Sequence, residues 1–135
     1  MRAGNRDRLL REAKEAARRA YCPYSKYRVG AALLCADGTV VRGCNVENAS
    51  YGLTLCAERN ALQAAVAAGH RRFRALAIVA SGRDPPYPCG ACLQVMAEFC
   101  GPRFPVYAAV AGRPGSARRL CLGKLLPRRF AFRRS

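Results

Sequence analysis

Two short clusters carry residue types from which a metal site can be built: Cys56-Ala57-Glu58 and, further along, Pro88-Cys89-Gly90-Ala91-Cys92. A structural zinc site closes four protein ligands around the ion, whereas a catalytic one keeps a position for water. Three thiolates, Cys56, Cys89 and Cys92, fit the second pattern and predict one Zn2+ per chain. A Cys-x-x-Cys pair in the cytosol can instead be a redox couple, but a redox couple has no need of a third cysteine and a glutamate at matched helix starts. Glu58 stands two residues beyond a ligand, so its carboxylate can reach the metal pocket without coordinating and can move protons from water to a substrate nitrogen. In isolation it would read as a helix-N-terminal acid favoured by the dipole. Three thiolates outweigh the two positive charges of zinc, and some group must draw that charge away. Arg59 is the candidate, contacting the ligand sulfurs with its guanidinium. A solvated helix-surface arginine is the other reading of Arg59, and the sequence leaves the two side by side.

These residues need elements to hold them. Leu9, Ala13, Ala16 and Ala20 recur at helical spacing from Arg6 to Ala20, with Asp7 to Arg11 and Glu15 to Arg19 as i,i+4 pairs, and Pro23 bars helix at the residue before it. Val29 to Cys35 and Thr39 to Val46 read as paired strands around an Asp37-Gly38 turn. A second helix is expected over Ala57 to Ala68, closed by Gly69. A buried strand follows at Arg74 to Ala80, then a Pro-rich loop over Ser81 to Pro88 and a third helix over Gly90 to Phe99. Phe104 to Ala111 and Ala117 to Leu122 read as two more strands and Leu122 to Leu126 as a short last helix. Strands alternating with helices around one sheet make an α/β sandwich of five strands. Cys56 then precedes the second helix, while Cys89 and Cys92 flank the start of the third, where helix dipoles favour thiolates.

At 135 residues, 51% of them hydrophobic, the chain suits one globular domain with a core of its own. It has no apolar stretch of about 18 residues and no signal-peptide core at its start, so the cytoplasm is the expected location and no membrane partner is expected. The eight cysteines do not read as a disulfide scaffold; apart from the three ligands, Cys22, Cys35, Cys44, Cys100 and Cys121 are expected to be small buried hydrophobes. Lys and Arg number 24 against 8 acids, for a net charge of +16, and no acid follows Glu98. Such a surface attracts polyanions and makes non-specific nucleic-acid binding a candidate property. All these cations except Lys14, Lys26 and Lys124 are arginine in an Ala- and Gly-rich chain, which fits a compositional origin as well.

Cys56-Ala57-Glu58-Arg59-Asn60-Ala61 and Pro88-Cys89-Gly90-Ala91-Cys92-Leu93-Gln94 closely resemble the zinc-dependent deaminases, whose signature is His-or-Cys-x-Glu followed by Pro-Cys-x-x-Cys. Within that superfamily the chain looks like the small homotetrameric cytidine deaminases. Tyr24 to Leu33 resembles the family segment ending Phe-Pro-Val-Gly-Ala-Ala, Gly43 to Tyr51 its nucleoside-binding segment, and Leu122 to Pro127 with Phe130 its closing motif. The resemblance implies a three-layer α/β/α sandwich with a mixed five-stranded sheet over residues 1–127, followed by a basic tail at 128–135. It implies hydrolytic deamination of free cytidine and deoxycytidine, in pyrimidine salvage, with Glu58 catalytic and Cys56, Cys89 and Cys92 on zinc. Asn45 and Glu47 would bind the ribose hydroxyls, Tyr27 would pack on the pyrimidine, and the Ala57 amide would bind the base carbonyl. Tyr51 and Phe130 would reach a neighbouring subunit's pocket, so the implied partner is the chain itself, as a homotetramer with shared sites. The chain departs from the family at Tyr27-Arg28, in place of Phe-Pro, at Leu93, in place of the usual Arg, and in its basic rather than acidic end. A deaminase of an aminonucleoside antibiotic such as blasticidin S would share the zinc motifs. The charge also raises a polynucleotide-acting deaminase or basic nucleic-acid binder, against which the short loops and unclustered aromatics count.

Overall fold

The computed structural model describes residues 3–113 and 115–132. Alternation along the strand Val29–Cys35 (β1) fixes the layers, because successive side chains point to opposite faces. Ala31, Leu33 and Cys35 enter one core with Leu76, Ile78 and Val106, while Ala32 and Leu34 enter a second with Ala77, Val79 and Tyr107. A strand that is apolar on both sides must be covered on both, and helices do this. The helix Ala3–Ala17 (α1) inserts Leu9 and Ala13 into the second core; Ala57–Ala67 (α2) and Gly90–Phe99 (α3) supply Ala61, Leu62, Ala65, Leu93 and Met96 to the first. The remaining elements are Val40–Cys44 (β2), a single 3-10 turn at Tyr51–Leu53, Phe73–Ala80 (β3), Pro105–Val110 (β4), Arg118–Cys121 (β5) and the short helix Leu122–Leu125 (α4). The sheet runs β2-β1-β3-β4-β5, with β3 and β4 parallel and every other neighbouring pair antiparallel. This is the expected three-layer sandwich with a mixed five-stranded sheet. No helix of the described residues is long and apolar enough to cross a membrane.

Two glycines set the thickness of the layers. A Cβ on Gly30 would lie 1.9 Å from the Ala13 carbonyl oxygen, and one on Gly43 would lie 2.4 Å from the Ala61 nitrogen and 2.6 Å from the Ala57 oxygen. Helices α1 and α2 therefore touch β1 and β2 backbone to backbone. Asn60 reinforces the second contact by accepting the Cys44 N–H at 3.0 Å. At the β1–β2 turn Gly38 takes φ +93° and Asp37 accepts the Thr39 N–H at 2.9 Å, as the Asp-Gly pair predicts.

The first helix ends earlier than expected, at Ala17 rather than Ala20. The amides of Arg18, Arg19 and Ala20 bond back three residues, to Glu15, Ala16 and Ala17, which tightens the last turn. Tyr21 then pairs with Val46. The i,i+4 ion pairs do not form either: Asp7 meets Arg6 at 3.4 Å, Glu15 meets Arg18 at 3.8 Å, and Glu12 reaches across to Arg42 at 2.6 Å. Of the five cysteines outside the metal cluster, Cys22, Cys35 and Cys100 are buried as expected, while Cys44 and Cys121 are only partly so. Arg129 lies against the end of α3, donating from Nη1 to the carbonyls of Ala97 and Cys100 at 2.9 and 2.7 Å. A cation there satisfies carbonyls the helix leaves free. Of the basic tail, residues 133–135 lie outside the described residues.

Candidate active site

Helices α2 and α3 deliver their first turns to one point. Cys56 is the N-cap of α2 and Cys89 the N-cap of α3, both extended, and Cys92 follows in the first turn of α3. Their sulfurs converge: Cys56 Sγ lies 3.9 Å from Cys89 Sγ, Cys89 Sγ lies 3.5 Å from Cys92 Sγ, and all three fall within 4.8 Å of one another. A tetrahedral zinc with Zn–S near 2.3 Å separates its sulfurs by about 3.8 Å, so the cluster fits that ion. Arg59 Nη2 stands 3.4 Å from Cys56 Sγ and 3.4 Å from the Thr54 carbonyl, which decides for the sulfur-contacting reading. Its buried Nε has no partner among the described residues. The contact with Cys92, then Arg59 and Cys89, bring the Cys56 thiol down to about 5 against the opposing effect of burial. Sharing its proton with the Cys56 sulfur, together with burial, pushes Cys92 upward.

Glu58 is 7% exposed and is not part of the sulfur cluster. Burial first, with the nearby Cys56 charge adding to it, raises its carboxyl to about 7, against the pull of its own backbone amide and Arg59. A carboxyl poised there exchanges protons readily at neutral pH.

A cleft of about 220 Å³ opens over these groups, lined by Tyr27, Asn45, Cys56, Ala57, Glu58 and Cys89. The structure therefore brings together most of the residues named from the sequence. Asn45 is fixed by two backbone bonds: Nδ2 donates to the Tyr27 carbonyl at 2.8 Å and Oδ1 accepts the Val29 N–H at 2.9 Å. Tyr27 is partly exposed, and burial followed by the Glu58 charge raises its phenol. Glu47 is buried but does not line this cleft. Its Oε1 accepts the Tyr24 and Ser25 amides, each at 3.1 Å, and Oε2 accepts the Ser25 hydroxyl. Tyr51 and Phe130 also lie outside the cleft of the single chain, 60% and 72% exposed. Tyr51 meets Tyr24 edge-on at 6.3 Å, and the Phe130 carbonyl accepts Gln94 Nε2 at 2.9 Å.

Val29, Thr54, Pro86 and Tyr87 complete the cleft, and none of them is among the site residues the sequence points to. For Pro86 and Tyr87, adjacency to Pro88-Cys89 was the available signal; Thr54 had only its nearness to Cys56. At the departures from the family pattern, the Arg28 amide donates to Ser81 Oγ at 2.9 Å, a bond no proline could make. Its Nη1 also donates to the Arg18 and Ala20 carbonyls in the turn that follows α1, 3.2 and 3.0 Å away. Leu93 is buried in the first core.

A three-thiolate zinc-type centre at paired helix starts, with a buried carboxyl at about 7 beside it on an α/β/α sandwich, defines a metal-dependent hydrolytic class of protein. The family described as the cytidine and deoxycytidylate deaminase zinc-binding region matches residues 4–108, and the chain belongs to it. It is 50% identical over 125 residues to a cytidine deaminase of Sporosarcina psychrophila, covering 93% of this chain and 90% of that one. It is 49% identical over 126 residues to a cytidine deaminase of Halalkalibacterium halodurans, covering 93% and 94%. Among solved structures, the cytidine deaminase of Burkholderia pseudomallei superposes with a TM-score of 0.87 at 48% identity, covering 96% of this chain and all of that one (100%).

Proposed function

We propose that this protein deaminates free cytidine and deoxycytidine to uridine and deoxyuridine, consuming water and releasing ammonia. The observation that carries this reading is Glu58, buried in the cleft at about 7 beside three converging sulfurs yet apart from their cluster. Cys56, Cys89 and Cys92 would hold one zinc, whose chemistry when bound is to polarise water for attack at C4 of the pyrimidine. Glu58 would carry both protons of the attacking water, the first to N3 of the base and the second to the departing amine, which leaves as ammonia. The Ala57 amide, free of intrahelical partners at the first turn of α2, donates to the base carbonyl. Tyr27 lies against the pyrimidine.

Asn45 and Glu47 receive the ribose hydroxyls. Each has its orientation fixed by backbone partners, and a carboxylate with about four acceptor sites keeps one beyond the three bonds Glu47 already makes. A site built to bond hydroxyls discriminates against ligands lacking them. Tyr51 and Phe130, exposed in the single chain, enter a neighbouring subunit's cleft in a homotetramer, with residues 1–127 as the deaminase domain and 128–135 as its tail. Pyrimidine salvage in the cytoplasm is the setting such a reaction serves. Arg72, Arg74 and Arg103, gathered at a groove beside Phe73 and Phe99, support weak, salt-sensitive attraction of polyanions in addition.

Loss of cytidine absorbance, followed with and without a zinc chelator, tests metal, substrate and reaction together. Glu58→Gln is expected to lower kcat by about 10²- to 10⁴-fold with zinc content unchanged; near-normal turnover would sink the mechanism. Blasticidin S turned over faster than cytidine would replace the substrate and leave the chemistry.

A further inference from the structure

At the far end of α2 from Cys56, roughly 16 Å along the helix, a second set of metal-ligating side chains gathers. Cys35 ends β1, Asp37 sits in the β1–β2 turn and His70 follows α2; their ligand atoms all lie within 4.8 Å of one another. We infer that Cys35, Asp37 and His70 form a second site, separate from the cleft, that takes a borderline divalent transition metal such as Zn2+ or Co2+.

The backbone holds this cluster in place. Helix α2 closes with Gly69 at φ +103°, the Gly69 amide donating to Val66 and the His70 amide to Ala65, each at 3.0 Å. That paired closure fixes where the imidazole starts. From the other side the Ala36 amide donates to the Arg72 carbonyl at 2.9 Å, tying the turn to the chain just after His70. Asp37 spends Oδ1 on the Thr39 amide and leaves Oδ2 facing His70 Nδ1 at 3.8 Å. This is beyond hydrogen-bond distance, but near the roughly 3.4 Å edge between nitrogen and oxygen ligands around a four-coordinate ion with bonds of about 2.1 Å. The Cys35 sulfur supplies the inner wall. Asp37, 60% exposed at its side chain, and His70, 23% exposed, leave an approach from solvent and a place for a completing water. Sulfur with imidazole selects borderline cations over magnesium or calcium. Binding would release the thiol proton to solvent and clip the β1–β2 turn to the end of α2.

The test uses the whole protein carrying its first zinc. After removal of free metal, the holoenzyme is titrated with Co2+, reading visible and thiolate-to-cobalt absorption, and total zinc and cobalt per chain are then measured. The native protein is expected to keep its zinc and add about one cobalt with a thiolate band, and to melt at higher temperature with cobalt than without. Both Cys35→Ser and His70→Asn should keep the first zinc and cytidine turnover but lose the band and the thermal shift. His70→Asn, outside the core, serves if Cys35→Ser fails to fold. The proposal is overturned if the native protein takes up no second ion, if cobalt enters only as zinc leaves, or if both variants bind cobalt as the native chain does.

Discussion

At the sulfur cluster Arg59 is the residue that would let a zinc on three thiolates remain electrophilic. It donates toward Cys56, and burial of its unpartnered Nε leaves its guanidinium committed to that corner of the fold. With Leu93 buried in the core where the family pattern usually has arginine, Arg59 is the guanidinium seen at the sulfurs among the described residues. Arg59→Ala is expected to weaken zinc retention or turnover by about 10- to 100-fold; competition against a graded chelator series reads the first and kcat the second. Arg59→Lys should recover only part of either, because an ammonium lacks the planar fork. Glu47 carries a pH signature. The Ser25 hydroxyl first, then the Ser25 and Tyr24 amides, hold its carboxyl below the ordinary range. A depressed acid contributes stability that is complete above its unfolded value, near 4.3, and is lost as pH falls through the folded one. Hydrogen exchange at Tyr24 and Ser25 should therefore accelerate as pH is lowered below about 4, relative to other loop amides at the same pH. In Ser25→Ala that onset should move to higher pH. The gathering of Cys56, Cys89 and Cys92 near a buried Glu58 is legible in the sequence because their spacing carries the chemistry. The bonds that Glu47 accepts from Tyr24 and Ser25, those of Arg28 to the turn after α1 and the bond from the Cys44 amide to Asn60 are not, since one long-range polar contact leaves no period to read.

Elements position these residues chiefly by close approach. Gly43 lets α2 lie directly on β2, and Cys56 and Glu58 are carried at that helix's start. In Gly43→Ala the new methyl would press on the backbone at Ala57 and Ala61. The expected cost is about 1–3 kcal/mol or more, or about 4 °C in Tm for each kcal/mol at this size. Turnover per folded molecule should fall as well, because relief requires α2 to move. A calorimetric scan paired with activity at a temperature where both proteins are folded separates the two effects; full activity with lowered Tm would show that α2 keeps its place. The sequence predicted the bounds of β1 and α3 as observed, since an Asp-Gly turn and the cysteine cluster mark them. It placed the end of α1 three residues late: the pairing of Tyr21 with Val46 drew the chain away before Pro23 could act.

In the whole molecule, an exposed Tyr51 and an exposed Phe130 have little to do in a lone chain, but they fit an assembly in which each copy completes another's cleft. Sedimentation equilibrium is expected to give four chains. Phe130→Ala mixed with Glu58→Gln, dissociated and reassociated together, should recover activity above the sum of the separate proteins. Recovery no greater than additive would argue for self-contained sites. Arg129 makes Phe130 more than a loose appendage, because its guanidinium bonds the end of α3 and the Phe130 carbonyl accepts Gln94 Nε2 from the same helix.

Cys56 and Cys89 stand 33 residues apart in the chain, with α2 and β3 between them. In polymer terms an ion shared by these sulfurs is a removable staple across that loop. A permanent crosslink of this span would raise the free energy of the unfolded chain by about 3–4 kcal/mol at room temperature in the loop-closure account, whereas an ion released on unfolding stabilises through its binding free energy. Zinc would thus hold the central strand of the sheet in the same act that equips the cleft. Release of the ion through the cleft would leave the starts of α2 and α3 free to part, so the metal-free protein is expected to open that half of the molecule more often.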